Sequence, residues 1–155
     1  MTAPELESDE SARLYNAALL KHVSGIKDQD RLTDPAASGH AVSPICGSEV
    51  TIDLDISNGT ITAIGHDVSA CALTKTVLSV LRAAGAGMDR TEIEAGQKAL
   101  RALLENGETP PPPWQHLDIL RPARDYTARH NSMLLPFEAM LKAFDKLANS
   151  PKNTI

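Results

Sequence analysis

Between Val50 and Ile56 the chain alternates strictly: Val50, Ile52, Leu54 and Ile56 are apolar, and Thr51, Asp53 and Asp55 between them are polar. Successive side chains on a β-strand point to opposite faces, so this pattern is a strand with one buried face. Ser57-Asn58-Gly59 follows directly. Asn-Gly tolerates the positive φ that a tight hairpin turn demands. Ile61 and Ala63 then resume the alternation in a second strand ending near Val68. Local chemistry thus dictates an antiparallel hairpin around Asn58-Gly59, and the rest of the fold must cover its apolar face. Asp53 and Asp55 fall on the opposite face, where the expectation is solvation rather than a catalytic pair of carboxylates.

The flanking segments read as helices. Residues 11–24 carry Leu14, Ala17, Ala18 and Val23 near helical spacing, with Gly25 just beyond. Residues 27–40, with Pro35 and Gly39, show no period and read as a loop. After the hairpin, Ser69 is the expected N-cap of a helix with the stripe Leu73, Val77, Val80, Leu81 and Ala84, ended by Gly85 and Gly87. Asp89 and Glu92 form a capping-box pattern for the next helix, buried through Ile93, Leu100, Leu103 and Leu104 and closed at Asn106-Gly107. Pro110 to Pro113 is a stiff spacer. Residues 117–126 suggest a short helix with Pro122 in its first turn. Leu134, Phe137, Leu141 and Phe144 share one face of a final helix. A proline disrupts a helix interior but not its first turn, so Pro136 sets the expected start near Asn131 or Ser132.

A chain of 155 residues is one domain by default. The domain is expected over residues 11–148, with a disordered acidic tail at 1–10 and a flexible tail at 149–155. The net charge is −5 and aromatics make up 3%. That argues against nucleic acid, which needs a basic face and stacking platforms, and against an anionic membrane surface. No apolar run approaches the roughly 18 residues a membrane span requires. The acidic start resembles neither a secretory nor a transit signal, so the expected location is the cytoplasm.

Two cysteines in a reducing compartment are more often thiols or metal ligands than a disulfide. Cys46 lies in the turn-like segment Ser43-Pro44-Ile45-Cys46-Gly47-Ser48, and Cys71 in Ser69-Ala70-Cys71-Ala72-Leu73 at a helix start. A helix N-terminus favours the thiolate, the form that binds metal and attacks sulfur. Thiolates select zinc, copper(I) and iron–sulfur clusters. His130 and Ser132, in Ala128-Arg129-His130-Asn131-Ser132, stand at another loop-to-helix junction. Core packing for the cysteines and a capping role for Ser132 are the plain alternatives. His22, His40, His66 and His116 lack supporting spacing and are expected at the surface.

The order of these pieces resembles the iron–sulfur cluster assembly scaffolds of the IscU/SufU type, also called the NifU N-terminal domain. Tyr15-Asn16 is similar to their opening helix, Ser43-Pro44-Ile45-Cys46-Gly47 to their Asn-Pro-x-Cys-Gly-Asp motif, and Ala70-Cys71 to their Gly-Cys. The segment 128–132 occupies the place of their third cysteine. The resemblance implies an α+β fold, with a small antiparallel β-sheet packed against several helices. This chain is divergent: Ser48, beside Glu49, stands where those proteins have aspartate, and the third cysteine is missing. In a gapless reading Ser132 takes the third cysteine's place. Shifted by one, His130 matches a histidine and Asn131 the cysteine. The Leu-Pro-Pro-Val-Lys chaperone motif is absent, and that partnership is not implied.

What the resemblance implies is a scaffold or carrier rather than an enzyme. It would bind iron or a [2Fe-2S] cluster transiently for transfer to acceptor proteins. Cys46, Cys71 and His130, with an oxygen from Ser48, Glu49 or Ser132, would form the site, and zinc could use the same set. The implied partners are a cysteine desulfurase and cluster acceptor or carrier proteins, with a homo-oligomer left open. Two other readings stay open: a zinc-assisted sulfur-transfer enzyme with Cys71 as nucleophile and His130 as base, and a metal-free adaptor for the assembly machinery.

Overall fold

The structure is a computed structural model, described here for residues 17–45 and 47–148. Both expected tails, Tyr15-Asn16 and Cys46 lie outside the described residues.

The hairpin forms as its sequence dictates. Strand β3 (Glu49–Ser57) and strand β4 (Thr60–Ser69) pair antiparallel around a two-residue turn. Asn58 and Gly59 have φ of 54° and 80°, the left-handed values such a turn needs. The register puts Val50, Ile52 and Leu54 opposite Val68, His66 and Ile64, and all three apolar β3 residues are fully buried.

The segment expected to be a loop contributes two more strands. Strand β1 (Gln29–Asp30) pairs with β4, and β2 (Ala37–Val42) pairs with β3 along its whole length. The result is a four-stranded antiparallel sheet in the order β1-β4-β3-β2. β2 does alternate, but in small residues: Ala37, Gly39 and Ala41 are buried, and Ser38, His40 and Val42 are not. The reason lies across the interface. A Cβ on Gly39 would overlap the Ala139 carbonyl and come 2.6 Å from Ala143 N. The last helix therefore rests backbone against backbone on β2.

Among the described residues the α-helices are α1 (Ala17–Ser24), α2 (Ala72–Gly85), α3 (Arg90–Asn106) and α4 (His130–Ala148). α4 crosses β2 and β3, and α2 and α3 pack against α4. The capping box on α3 is complete: Asp89 accepts the Glu92 N–H, and Glu92 reaches back to the Asp89 N–H. Gly107 closes α3 with φ of 73°. A 3₁₀ segment (Gln115–Asp125) runs on towards α4 with Pro122 in its interior rather than its first turn. Trp114, just before it, is 2% exposed and meets Phe137 edge to face at 5.4 Å. The Trp114 ring lies over Gly96, where a Cβ would come 2.5 Å from it.

Two polar positions depart from expectation. Asp53 is fully buried rather than solvated. It takes two hydrogen bonds from Arg31 (2.7 and 2.8 Å), one from the Ser38 hydroxyl and one from the Leu32 N–H. The connection after β1 passes over Gly65, where a Cβ would lie 2.5 Å from Leu32 N. A buried carboxylate is stable only when paired in this way, and here it fastens that connection to the sheet. His66 is 1% exposed, held by the Lys27 carbonyl at 2.6 Å and by Arg82 at 2.8 Å.

Candidate functional site

β4 continues through Ser69, which pairs with Glu49, so Ser69 belongs to the sheet and Cys71 is the N-cap of α2. The last helix begins at His130, so Pro136 sits inside it rather than in its first turn. A proline has no N–H for the carbonyl four residues back, which here is that of Ser132. Thr74, in the first turn of α2, donates its hydroxyl to this carbonyl at 3.1 Å. Thr74 thereby satisfies the carbonyl that the proline leaves without a partner, and an unpaired buried carbonyl is costly.

The same hydroxyl is the hub of a small network. Thr74 Oγ1 lies 2.6 Å from Ser132 Oγ and 3.6 Å from Cys71 Sγ, and Ser132 Oγ reaches Ser48 Oγ at 3.4 Å. Thr74, Ser132 and Ser48 are all buried, while Cys71 is partly exposed. Burial pushes the Cys71 thiol up. The Thr74 N–H, the Leu73 N–H and the Ser132 hydroxyl pull it down, and the net direction is down. The fold thus favours the thiolate at Cys71.

Around this thiol is a cavity of about 470 Å³, lined by Gly47 and Ser48, by Ser69 to Cys71, and by Ala128, Arg129 and Ser132. Three separate stretches of chain therefore meet there. The first is a tight turn held by Gly47 N–H to Ser43 carbonyl (2.9 Å) and Ser43 N–H to Ser48 carbonyl (2.8 Å). The others are the strand-to-helix junction at Cys71 and the start of α4. Arg129 adds a positive charge, and no carboxylate lines the cavity among the described residues.

No protein-family model matches the sequence, and a sequence comparison with curated proteins finds no match. Solved structures do match. The N-terminal part of a nitrogen-fixing NifU-like protein from Brucella abortus superposes with a TM-score of 0.84 at 29% identity, covering 91% of this chain and 99% of that one. In fold, this chain is NifU-like. A structure from Fervidobacterium islandicum AW-1, described as a candidate iron–sulfur cluster assembly scaffold for the SUF system, matches with a TM-score of 0.76 at 16% identity. It covers 86% of this chain and 98% of its own. The second likeness bears on the fold alone.

Within this NifU/SufU-like fold the sequence-derived site residues divide. Cys71, Ser48 and Ser132 come together in the cavity, and Gly47 brings the chain next to Cys46 into its wall. His130 is not part of the lining: its Nε2 is bonded to the Arg124 carbonyl at 2.9 Å. Glu49 is exposed in β3, 3.9 Å from the His40 ring. Asn131 lines a different cleft, with Ser43, Pro44 and Leu135, so the gapless position, Ser132, is the one facing Cys71. Among the described residues no three His, Cys, Asp or Glu side chains are grouped to hold a metal ion. Thr74 and Arg129 complete the site. Sequence reading passed over Thr74, although a threonine three residues past Cys71 and a proline four past Ser132 were its signals.

Proposed function

We propose that this chain is an iron–sulfur cluster assembly scaffold or carrier of the NifU/SufU type, with iron or a [2Fe-2S] cluster as transient cargo. The observation that carries the reading is Cys71: a partly exposed N-cap with a lowered pKa, in a cavity also lined by Gly47 and Ser48, the residues that follow Cys46 in sequence. The structural likeness to a NifU-like protein supports it. Cys46 and Cys71 supply the thiolates, and the hydroxyls of Ser48 and Ser132 the oxygens within reach. A hydroxyl is a weaker, harder donor than the thiolate iron–sulfur chemistry favours. Such a donor set suits cargo that leaves, and fits a tightly held resident ion poorly. The protein's own contribution is to lower the Cys71 pKa, to place a cation, Arg129, at the cavity, and to exclude carboxylates from the described wall.

A cysteine desulfurase as sulfur source, cluster acceptors as recipients and a cytoplasmic location belong to the same proposal. No helix among the described residues is long and apolar enough to cross a membrane. The thiol-enzyme alternative needs a base at Cys71; His130 does not line that cavity, and its Nε2 is bonded to the Arg124 carbonyl.

Anaerobic purification with metal analysis and visible spectroscopy, before and after reconstitution with iron and sulfide, tests the reading. Charge-transfer bands with about two irons per chain, lost in Cys46→Ala and in Cys71→Ala, support it. Iron uptake unchanged in both variants would overturn it, and one zinc without visible bands would favour a sulfur-transfer protein.

A further inference from the structure

A second cavity, of about 580 Å³, opens between α1, the middle of α2 and the Pro113 to His116 stretch. It shares no lining residue with the Cys71 cavity. Ser79, in its wall, lies further along α2 than Cys71 by about 12 Å of helix axis. Its volume falls within the range of small-molecule sites.

One side of this cavity is apolar, formed by Val80, Ala83, Ala84 and Pro113. The other carries Lys21 and His22 from α1, Ser79 from α2, and Gln115 and His116. Each of these five side chains can donate a hydrogen bond, and no Asp or Glu is in the lining. His22 Nδ1 lies 2.8 Å from Ser79 Oγ, which leaves Nε2 as the ring's remaining hydrogen-bonding atom. Burial, His116 and Lys21, in that order, hold the His22 pKa below its ordinary value. Arg31, Lys75, Arg82, Arg90 and Arg121 each pair with a carboxylate. Among the described residues, Lys21, His22 and His116 have none.

A concave site with an apolar wall, converging donors and uncompensated positive charge has a defined complement. We propose that this cavity binds a small organic anion, a carboxylate on an apolar body of several carbons. The carboxylate meets Lys21, His22 and His116, and the body lies along Val80, Ala83 and Ala84. The anion reverses the balance at His22 and favours its protonated ring. The other groups around that ring are Lys21 on its own helix, Ser79 from α2 and His116. Binding therefore takes up a proton and tightens as pH falls towards 6.5, the ordinary histidine value.

Octanoate is the probe, titrated into the full chain by calorimetry and by amide NMR, with 1-octanol and acetate as controls. The expected result is saturable binding of one octanoate per chain, with shifts centred on Ser79, Ala83 and His116. 1-Octanol, lacking the charge, and acetate, lacking the chain, should each bind about tenfold more weakly or worse. Ala83→Phe, at an exposed position, fills the cavity and should abolish binding, and His116→Ala should weaken it several-fold. No saturable shifts, 1-octanol binding as tightly as octanoate, or unchanged affinity in a folded Ala83→Phe protein overturns the proposal. Should Ala83→Phe fail to fold, unchanged octanoate affinity in His116→Ala overturns it.

Discussion

Thr74 Oγ1 donates to the main-chain carbonyl of Ser132 at 3.1 Å, the carbonyl that Pro136 leaves without a helical partner. One hydroxyl thus stabilises a proline-containing helix and fixes the side of the cavity facing Cys71. Thr74→Val keeps the shape, removes the hydroxyl and strands a buried carbonyl. Unfolding by urea should show a loss of about 1–3 kcal/mol. In a Pro136→Ala background the helix regains an N–H for that carbonyl, so the same substitution should cost less. Equal losses in both backgrounds would show that the proline is not what makes Thr74 necessary.

Cys71 should alkylate with iodoacetamide faster at neutral pH than a free cysteine. Ser132→Ala should move the pH midpoint of that reaction upward, because it removes a hydroxyl that lowers the thiol pKa. The folded-state value lies below the ordinary thiol value of 9.0, so the fold prefers the ionised form. The stabilisation is complete above 9.0 and is lost as pH falls through the folded value. Cys71→Ala should flatten that alkaline rise in stability.

Ser132→Cys adds a thiol to the lining of the Cys71 cavity. The reconstituted cluster should then survive longer under a chelator than in the native chain, and zinc should bind more tightly, by about tenfold or more. Measuring cluster half-life and zinc affinity side by side checks this. An unchanged half-life would mean that Ser132 is not within reach of the cargo.

Asp53→Asn breaks a buried carboxylate away from Arg31, Ser38 and the Leu32 N–H. Thermal or urea unfolding should register about 2–3 kcal/mol. Burial pushes the Asp53 carboxyl up, but Arg31, Ser38 and Leu32 outweigh it and hold it below 3.8. Its contribution is complete above 3.8 and disappears as pH falls through the folded value. Acid unfolding of the native chain should therefore be steeper in that range than that of Asp53→Asn.

Gly39→Ala should be among the most damaging single-methyl changes in the chain, at about 3 kcal/mol, because the added carbon meets backbone atoms of α4 that cannot swing aside. Denaturant midpoints of Gly39→Ala and of Gly59→Ala, where nothing lies within 4 Å, separate this overlap from the backbone strain of a positive φ.

The hairpin, the Asp89 box and the Gly107 stop were legible because each is written in adjacent residues. β2 was not, because a strand that lies against a helix backbone uses Ala37, Gly39 and Ala41, and small residues carry little hydrophobic signal. Strand alternation points Asp53 outward, and no motif spacing marks His66 as more than a surface residue. Their partners, Arg31 and Arg82, stand 22 and 16 positions away and only the fold brings them near. At the site, the cysteine positions were visible as motifs. What Cys71 touches was not: Thr74 and Ser132 are 58 residues apart, and their link depends on an N–H that Pro136 lacks.

The bare Cα at Gly39 also sets a spacing. β2 leads directly into the turn that carries Ser48, and α4 carries Ser132 at its start, so the two serines are mounted on parts that touch at Gly39. Their 3.4 Å separation is inherited from that seat. One absent methyl group works as the shim that determines how wide the cavity beside Cys71 stands.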